Sequence, residues 1–551
     1  MENLRVTQRL QEEIEKLLVT SDNYIQSSAP AHEIEKGLFK ALLNLGNSLL
    51  RFTFESRIAQ YQSRLKDSAI LNDFRYKGEE SCKYLSLFGE LTLSRGSYWS
   101  KETGKIHPSD SHLSLPTTSF WSYSIEELVG ESASECDFAE SVRLLNALLD
   151  LNLSGKSSER NAARLGSLVA SFYASPEASS EAKSEAKSEA KSEAKSEAKS
   201  ESDVKSDVTS DVKFDVTSDV KSEVACETVV KAAQVVYCSA SFDGKGVPKI
   251  KQIQTDEVKS NPKKRLGKGE KRGVMEMATV SVTSSFVPKS RSVERILTSL
   301  MGSPLSKLRE KESEDSKNAV KSTTHQDNKW HKDIHRRAFL GNQQKAIAYG
   351  LDKVKQNMTH PQSRFVVPID AGIALEDKVL DWVKDNNMTN HFDGIILDII
   401  HVSEYVWDAA TAIFSEKSTY RTTWVRQMLS DLLNSQTKQV IKDLERIVSK
   451  ADLCQSKATQ VEKTIKYFTN HQHKMDYKTF IEKGYPVSSA LVEAACGHLV
   501  KQRMEQSGMR WSSVGAQNIM DMRAVKLNED MSDFMAFRIK TEQKNAFKIA
   551  A

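Results

Sequence analysis

The sequence predicts an α/β domain with a helical insertion, preceded by a mostly helical N-terminal region. Three observations indicate this class. Helix-period hydrophobic residues recur through the first 68 positions, several apolar runs between residues 226 and 401 read as strands, and helical periodicity then continues from 402 to 483. With 551 residues, the chain has room for more than one domain that buries its own core.

Composition excludes several classes of protein. The net charge is only +4, so contact with a polyanion must come from local basic clusters. No apolar run approaches the ~20 residues of a membrane span, and the first residues lack a signal-peptide pattern, so we expect a cytoplasmic protein with no membrane partner. The cysteines form no CxxC pair, which argues against a zinc site or a disulfide framework; they are Cys82, Cys136, Cys226, Cys238, Cys454 and Cys496.

The N-terminal part is expected to be helical around one small sheet. Residues 1–68 form a helical region with few breakers. In residues 69–175, SCKYLSLFGELTLSRGSYWS alternates apolar and polar residues around Gly89, which predicts a short antiparallel pair. LLNALLDLNLSGKSSERNAARLGSLVASFY then places a Ser-Gly break between two helices. This is the outline of a helix-turn-helix DNA-binding region, and plain helix packing is the alternative.

Residues 176–225 contain a low-complexity repeat, in which EAKS recurs and then drifts to SDVK and SDVT. Such a segment has too few apolar residues to bury a core. Its period also places like charges at i,i+4, so a helix there would gain no favourable ion pairs. We expect a mobile or marginally helical linker.

The strands of the α/β domain are predicted within residues 226–401. AAQVVYCSASFDGKG is strand-like and ends at Asp243, and GVMEMATVSVTSSFV is a second strand. Helical sequence is expected from about Lys329 to Met358. SRFVVPID and FDGIILDII flank a helix in ALEDKVLDWVKDN, which is the alternation of a βαβ unit with parallel strands.

The rest of the chain is predicted to be helical. Residues 402–483 form the insertion, and residues 484–551 contain a further helix and a C-terminal region. That helix is predicted over 486–507, and Glu493 stands in its apolar part. Gly497 follows Glu493 by four residues, so the face that carries the carboxylate is open to an approaching ligand.

Three carboxylates lie where a strand or a helix should be apolar: Asp243, Asp370 and Glu493. Carboxylates avoid apolar surroundings unless they are paired, hydrogen-bonded or bound to metal. Two strand-end aspartates and a helix-borne glutamate suit a pair of Mg²⁺ ions, the arrangement that serves in-line displacement at phosphorus. A strand-end Asp is also common in loops, so an ordinary structural role stays open for each acid taken singly.

Four stretches carry a family resemblance: VYCSASFDGKGVPKI, NPKKRLGKGEKRGVMEMATVSV, GIILDIIHVSEYVWDAA and GYPVSSALVEAACGHLVKQRMEQSGMRWS. In order, spacing and residue content they resemble successive blocks of the ISKra-type insertion-sequence transposases, a bacterial DDE family, over roughly residues 232–540. The N-terminal part resembles that family less closely.

The resemblance implies a ribonuclease H-like catalytic domain with Asp243 as its first acid and Glu493 as its last. Asp370, in FVVPIDAGIAL, is the expected second acid. Asp398, in the D-x-x-H pattern of LDIIH, is its rival and a further metal ligand. His401 of the same pattern would orient a ligand or phosphate, or be a satisfied core histidine. Two Mg²⁺ ions are the implied cofactor, with Mn²⁺ able to substitute.

Two basic clusters are candidates for binding DNA. The loop NPKKRLGKGEKRG holds six basic residues and one acid, and its glycines let the backbone approach a phosphate chain. A second group follows Glu493 closely. The candidate DNA-binding residues are Lys263, Lys264, Arg265, Lys268, Lys271, Arg272, Lys501, Arg503 and Arg510.

The expected function is a DNA transposase that binds the ends of its element, cleaves DNA and joins the 3′-hydroxyl to target DNA by two-metal phosphoryl transfer. The expected partners are double-stranded DNA, as terminal inverted repeats and target, and further copies of the chain in a homodimer or larger synaptic assembly. The expected location is the bacterial cytoplasm, at the nucleoid when bound. The alternative is a catalytically decayed transposase that acts as a DNA-binding protein, and a nuclease that cuts without joining is a third.

Overall fold

The structure is a computed structural model that describes residues 2–66, 73–175, 235–250, 274–301, 330–370, 372–415, 418–450 and 453–546. The chain divides into two compact units. The first comprises Met1–Asp219 with Asn518–Ala551, and the second comprises Val220–Gln517. The C-terminal helices therefore belong to the first unit, whereas the sequence predicts one region over residues 484–551. The linker tract lies outside the described residues.

The first unit begins with the predicted helices and hairpin. Helices α1 and α2 span Glu2–Ile25 and Ala31–Lys66. Strands β1, β2 and β3 form an antiparallel sheet in that order, over Arg75–Ser86, Gly89–Ser100 and Gly104–Ile106. Gly89 has a φ of 103°, which favours glycine and lets the chain turn between the first two strands.

Six further helices belong wholly or partly to this unit. Ser154 caps α6 through a reciprocal capping box with Ser157, which is why the chain restarts a helix there after the left-handed Asp150. The boundary between the two units, after Gln517, falls inside the helix Ser513–Leu527. The helices are α3 Pro108–His112, α4 Tyr123–Glu135, α5 Phe138–Leu149, α6 Gly155–Tyr173, α17 Ser513–Leu527 and α18 Met531–Ala546.

The second unit is built on a five-stranded mixed sheet, whose strands are β4 Tyr237–Lys249, β5 Val274–Phe286, β6 His331–Leu340, β7 Arg364–Ile369 and β8 Phe392–Leu397. Their order in the sheet is β6-β5-β4-β7-β8. Strand β4 pairs antiparallel with β5 and parallel with β7, so it joins an antiparallel half to a parallel half. The parallel β7 and β8 are connected through a helix, as the βαβ pattern predicts.

Helices cover both faces of this sheet. Phe365 and Val367 of β7 enter one core, while Val366 enters the other, as the alternation of a buried strand requires. The helical character of residues 402–483 is confirmed for the described part of that stretch. The helices are α7 Val293–Met301, α8 Gln343–Asn357, α9 Ile373–Asp385, α10 Ile399–Ile413, α11 Tyr420–Leu433, α12 Thr437–Lys450, α13 Gln455–His471 and α14 Tyr477–Glu482.

The structure corrects three predicted boundaries. The stretch from Lys329 begins with strand β6 rather than with a helix. This strand lies at the edge of the sheet, where charged side chains are tolerated, and those charges hide the alternation of apolar and polar residues that would reveal a strand. Strand β4 continues past Asp243 to Lys249 because its pairing with β5 extends that far. The glutamate helix begins at Ala490 rather than at 486, and comprises α15 Ala490–Ala495, a π-helical turn Cys496–Lys501 and α16 Gln502–Met504.

None of the described helices combines the length and apolar character needed to cross a lipid bilayer.

Candidate metal centre

The sheet brings acids from four separate stretches of the second unit to one edge. Asp370 follows β7 directly, and Asp398 follows the neighbouring parallel strand β8. Because adjacent parallel strands end at the same edge, both carboxylates lie there. Asp243 reaches the same region from within β4, beyond the last residue pair that β4 forms with β7, Ser239 with Val366. Glu493 comes from helix α15.

Asp398 is fully buried and tightly held. It is the N-cap of α10, and its Oδ1 accepts a hydrogen bond of 2.8 Å from the Ile400 N–H. Its Oδ2 accepts a hydrogen bond from the Ser489 hydroxyl. Its own backbone N–H donates to the Ile369 carbonyl at 3.0 Å, which ties the end of β8 to the end of β7. The carboxylate is therefore fixed in orientation.

His401 links the acids to one another. It lies one helical turn after Asp398, and its Nε2 is 3.1 Å from Asp370 Oδ1 and 3.5 Å from Glu493 Oε1. Its Nδ1 is 3.2 Å from Glu404 Oε2. Burial lowers the pKa of His401, but the charges of Asp370 and Asp398 outweigh burial, and the net pKa is raised.

Asp398, His401 and Glu493 could hold a metal ion. One ligand atom from each lies within 4.8 Å of the other two. The carboxylate oxygens of this set are the ligands that Mg²⁺ prefers, and the imidazole nitrogen suits a transition metal better. The carboxylate of Asp370 borders this set, with its Oδ1 3.1 Å from the His401 Nε2. The donor set therefore fits a divalent cation.

The carboxylates also repel one another. Burial raises the pKa of Glu493, and Asp398 raises it further, while His401 lowers it. Burial likewise raises the pKa of Asp370. The charge of His401 lowers this pKa, the charges of Asp243 and Asp398 raise it, and the net pKa is raised. A bound cation would relieve this repulsion, because it favours the charged form of every acid around it.

Asp243 is oriented by two donors. Its Oδ1 accepts a hydrogen bond of 2.6 Å from the Gly244 N–H, and its Oδ2 accepts one of 3.2 Å from the Cys496 thiol. Cys496 lies in the π-helical turn that follows Glu493, so one helix contacts the acid cluster in two ways. Asp243, Asp370 and His401 line a cavity of about 540 Å³ that is open to solvent.

The structure therefore brings together the three acids that the sequence analysis singled out, with Asp398 and His401. Asp370 and Asp398 both lie at the cluster, and they differ in exposure: the Asp370 side chain is 41% exposed and Asp398 is fully buried. Sequence reasoning missed Ser489 and Cys496. A serine just before a helix signals a cap, yet Ser489 donates to Asp398 instead, which only the fold reveals.

The candidate DNA-binding residues have different outcomes. The six in the loop between β4 and β5 lie outside the described residues. Lys501 and Arg510 are exposed. Arg503 is fully buried, with its guanidinium 4.9 Å from the centre of the Trp511 ring, so its predicted DNA contact is replaced by a packing role.

The acid cluster is the feature of the described residues on which a function can be argued. Its acids come from a strand, two strand ends and a helix, and the fold alone brings them together. Comparison with known proteins finds no matching family model and no matching curated sequence.

Proposed function

We propose that the chain is a DDE-type DNA transposase that binds the ends of its element, cleaves DNA and joins the freed 3′-hydroxyl to target DNA. The observation that carries this proposal is the convergence of Asp243, Asp370 and Glu493 in one acid cluster. Each is an acid that the family resemblance assigns to catalysis. Far apart in sequence, they lie within mutual electrostatic reach in the fold.

The sheet supports a ribonuclease H-like domain. Its first strand, β4, is central, an antiparallel β5–β6 pair extends it on one side, and parallel β7 and β8 extend it on the other. The first acid lies on the central strand. The last acid lies on a helix that follows the helical insertion, as the resemblance implies.

Two Mg²⁺ ions are the proposed cofactor, with Mn²⁺ able to substitute. Asp370, Asp398, Glu493 and Asp243 would hold them, with His401 beside them. When bound, such ions activate the attacking oxygen and stabilise the leaving oxygen of an in-line displacement at phosphorus. Two positions of the chain keep the acids in place: the Ser489 hydroxyl orients Asp398, and the Cys496 thiol orients Asp243.

Double-stranded DNA is the proposed partner, as terminal inverted repeats and as target. Lys501 and Arg510 are exposed close to Glu493 in sequence and would contact phosphates, together with the basic loop between β4 and β5. Holding two ends at once requires a homodimer or a larger assembly in synapsis. The proposed location is the bacterial cytoplasm, at the nucleoid when bound.

The test is Mg²⁺-dependent cleavage and strand joining on DNA that carries the element's own ends. Glu493→Gln keeps the shape of the side chain and removes its charge. We expect it to lose more activity than the roughly 10–100-fold of an outer-shell change. Glu462→Gln, at an exposed position of α13, is the matched control and should retain activity.

The same assay separates the rival functions. End binding by the wild type without cleavage would identify a decayed transposase that acts as a DNA-binding protein. Cleavage without joining would identify a nuclease. Cleavage that survives Glu493→Gln would remove Glu493 from the reaction and contradict the proposed site.

A further inference from the structure

A second cavity in the same unit is lined in part by chain neighbours of the acid cluster. Its volume is about 510 Å³, within the ~300–1,000 Å³ of small-ligand pockets. Its lining includes Ile399 and Ile400, which follow Asp398, and Ser488 and Ala490, on either side of Ser489. A ligand in this cavity would therefore lie close to the buried Asp398 without occupying the cluster itself.

The charge of this cavity is opposite to that of the cluster. Three cations line it, Lys289, Arg291 and Arg295, and the lining residues that the structure describes include no carboxylate. Lys289 and Arg295 are exposed to solvent. An anionic ligand fits such a lining, and phosphate is the anion that Arg and Lys commonly bind.

The cavity also has a fixed aromatic ring. The Trp330 Nε1–H donates to the Val287 carbonyl at 2.7 Å, and the Arg291 guanidinium lies 4.3 Å from the ring centre. Arg291 is itself anchored, because it donates to the Tyr485 carbonyl at 3.0 Å. Trp330 and Arg291 thus form a rigid platform, and flat platforms of this kind stack nucleic-acid bases.

We propose that this cavity takes one nucleotide of a single DNA strand that leads away from the acid cluster. Its base packs against Trp330 and the apolar lining, and its phosphate contacts Lys289 and Arg295. The inference rests on the proposed function for the identity of the strand. It adds to that function a specific holding site for a nucleotide next to the one that reacts.

The experiment measures the affinity of a fluorescent single-stranded oligonucleotide by anisotropy, with full-length protein carrying Glu493→Gln so that the probe is not cut. In this background Trp330→Ala and Arg295→Glu should each weaken binding about tenfold, through lost stacking and lost phosphate attraction. Lys442→Glu, an exposed charge reversal on α12 outside the cavity, should have no comparable effect.

An abasic probe distinguishes stacking from damage to the fold. Without a base to stack, the probe should bind Trp330→Ala as well as it binds the parent, while Arg295→Glu should still weaken its binding about tenfold. Trp330→Phe, which keeps a ring, should recover most of the affinity for the intact probe. Equal losses for both probes in Trp330→Ala, or parental affinity in both cavity variants, would overturn the proposal.

The two experiments together distinguish a failure of the cavity inference from a failure of the proposed function. If the wild type cleaves element ends but the cavity variants bind the probe normally, the cavity inference fails and the transposase proposal stands. If the wild type cleaves nothing while the variants show the predicted losses, the cavity binds nucleotides and the transposase proposal fails.

Discussion

The Ser489 hydroxyl donates a hydrogen bond to Oδ2 of the buried Asp398, which joins the residue before the glutamate helix to the residue after β8. Together with the hydrogen bond of 3.1 Å from the Ile399 N–H to the Val487 carbonyl, this contact ties the strand that supplies one acid to the segment before the helix that supplies another. A buried carboxylate needs such partners, because an unsatisfied one would carry a large desolvation cost. The geometry of the cluster therefore depends on a side chain that need not touch metal or substrate.

Removing the Ser489 hydroxyl should weaken metal binding. Ser489→Ala leaves Asp398 with its Ile400 donor but removes the donor to its Oδ2, so the carboxylate is held less firmly, and outer-shell losses of this kind typically cost about 10–100-fold in metal affinity. Titration calorimetry with Mn²⁺ measures the change directly. Ser449→Ala, at an exposed position of α12, is the control. Unchanged Mn²⁺ affinity in Ser489→Ala would show that the contact has no positioning role.

Neutralising an acid of the cluster should stabilise the protein in metal-free buffer. The pKa of Asp370 is raised by burial and by Asp243 and Asp398, so at neutral pH its negative charge destabilises the folded state. Asp370→Asn removes that charge with little change in shape, and the melting temperature in EDTA should rise.

Divalent metal should raise the melting temperature of the wild type more than that of Asp370→Asn. The wild type should gain stability on adding Mn²⁺, since a ligand that binds only the folded state stabilises it, and Asp370→Asn should gain less. Asp377→Asn, on the exposed side of α9, should change neither response. A lower melting temperature for Asp370→Asn in EDTA would mean that Asp370 is structurally required rather than electrostatically strained.

The sequence predicts the parallel half of the sheet well. In the antiparallel half it predicts β5 but misses β6 and ends β4 too early. The β7–α9–β8 unit has strong periods and short connections, so local pattern and fold agree. Strand β6 contains His331, Lys332, Asp333, His335, Arg336 and Arg337, and its strand conformation comes from pairing with β5. The Gly-Lys-Gly after Asp243 suggests a turn, yet pairing with β5 carries β4 through it.

The site shows the same division. An acid at a strand end is visible in the sequence, so Asp370 and Asp398 could both be found, but only the fold shows that adjacent strands bring both to one cluster. Arg503 marks the opposite limit. Its charge suggests a surface role, and only the tertiary packing reveals a guanidinium buried against Trp511.

The cysteines should differ sharply in reactivity. Burial and the nearby Asp243 raise the pKa of Cys496, so its thiol is protonated and inaccessible. Cys454 is exposed, and the Ser456 hydroxyl lowers its pKa by hydrogen bonding to the sulfur. Brief treatment with iodoacetamide followed by peptide mass spectrometry should modify Cys454 and leave Cys496 unmodified until the protein is denatured. Early modification of Cys496 would contradict its contact with Asp243.

Acid should weaken the first unit through Glu542. Burial raises the pKa of this carboxyl, but donors from Thr117, Thr118 and Tyr123 and the charge of Arg538 outweigh burial and bring the pKa to about 2. Because the folded pKa lies below the unfolded value of about 4.3, the ionised group stabilises the fold above pH ~4.3. That contribution, on the order of 3 kcal/mol, is lost as the pH falls from ~4.3 to ~2.

Hydrogen exchange after incubation between pH 2 and 6 measures this loss in peptides from α4 and α18, which Glu542 connects. The wild type should lose protection across the interval below pH ~4.3, after correction for intrinsic exchange. Glu542→Gln should be less protected at pH 6 and should show a shallower pH dependence, because its side chain does not titrate. Glu159→Gln, at an exposed position of α6, should follow the wild type. Identical pH profiles for wild type and Glu542→Gln would show that another group controls the acid response of this unit.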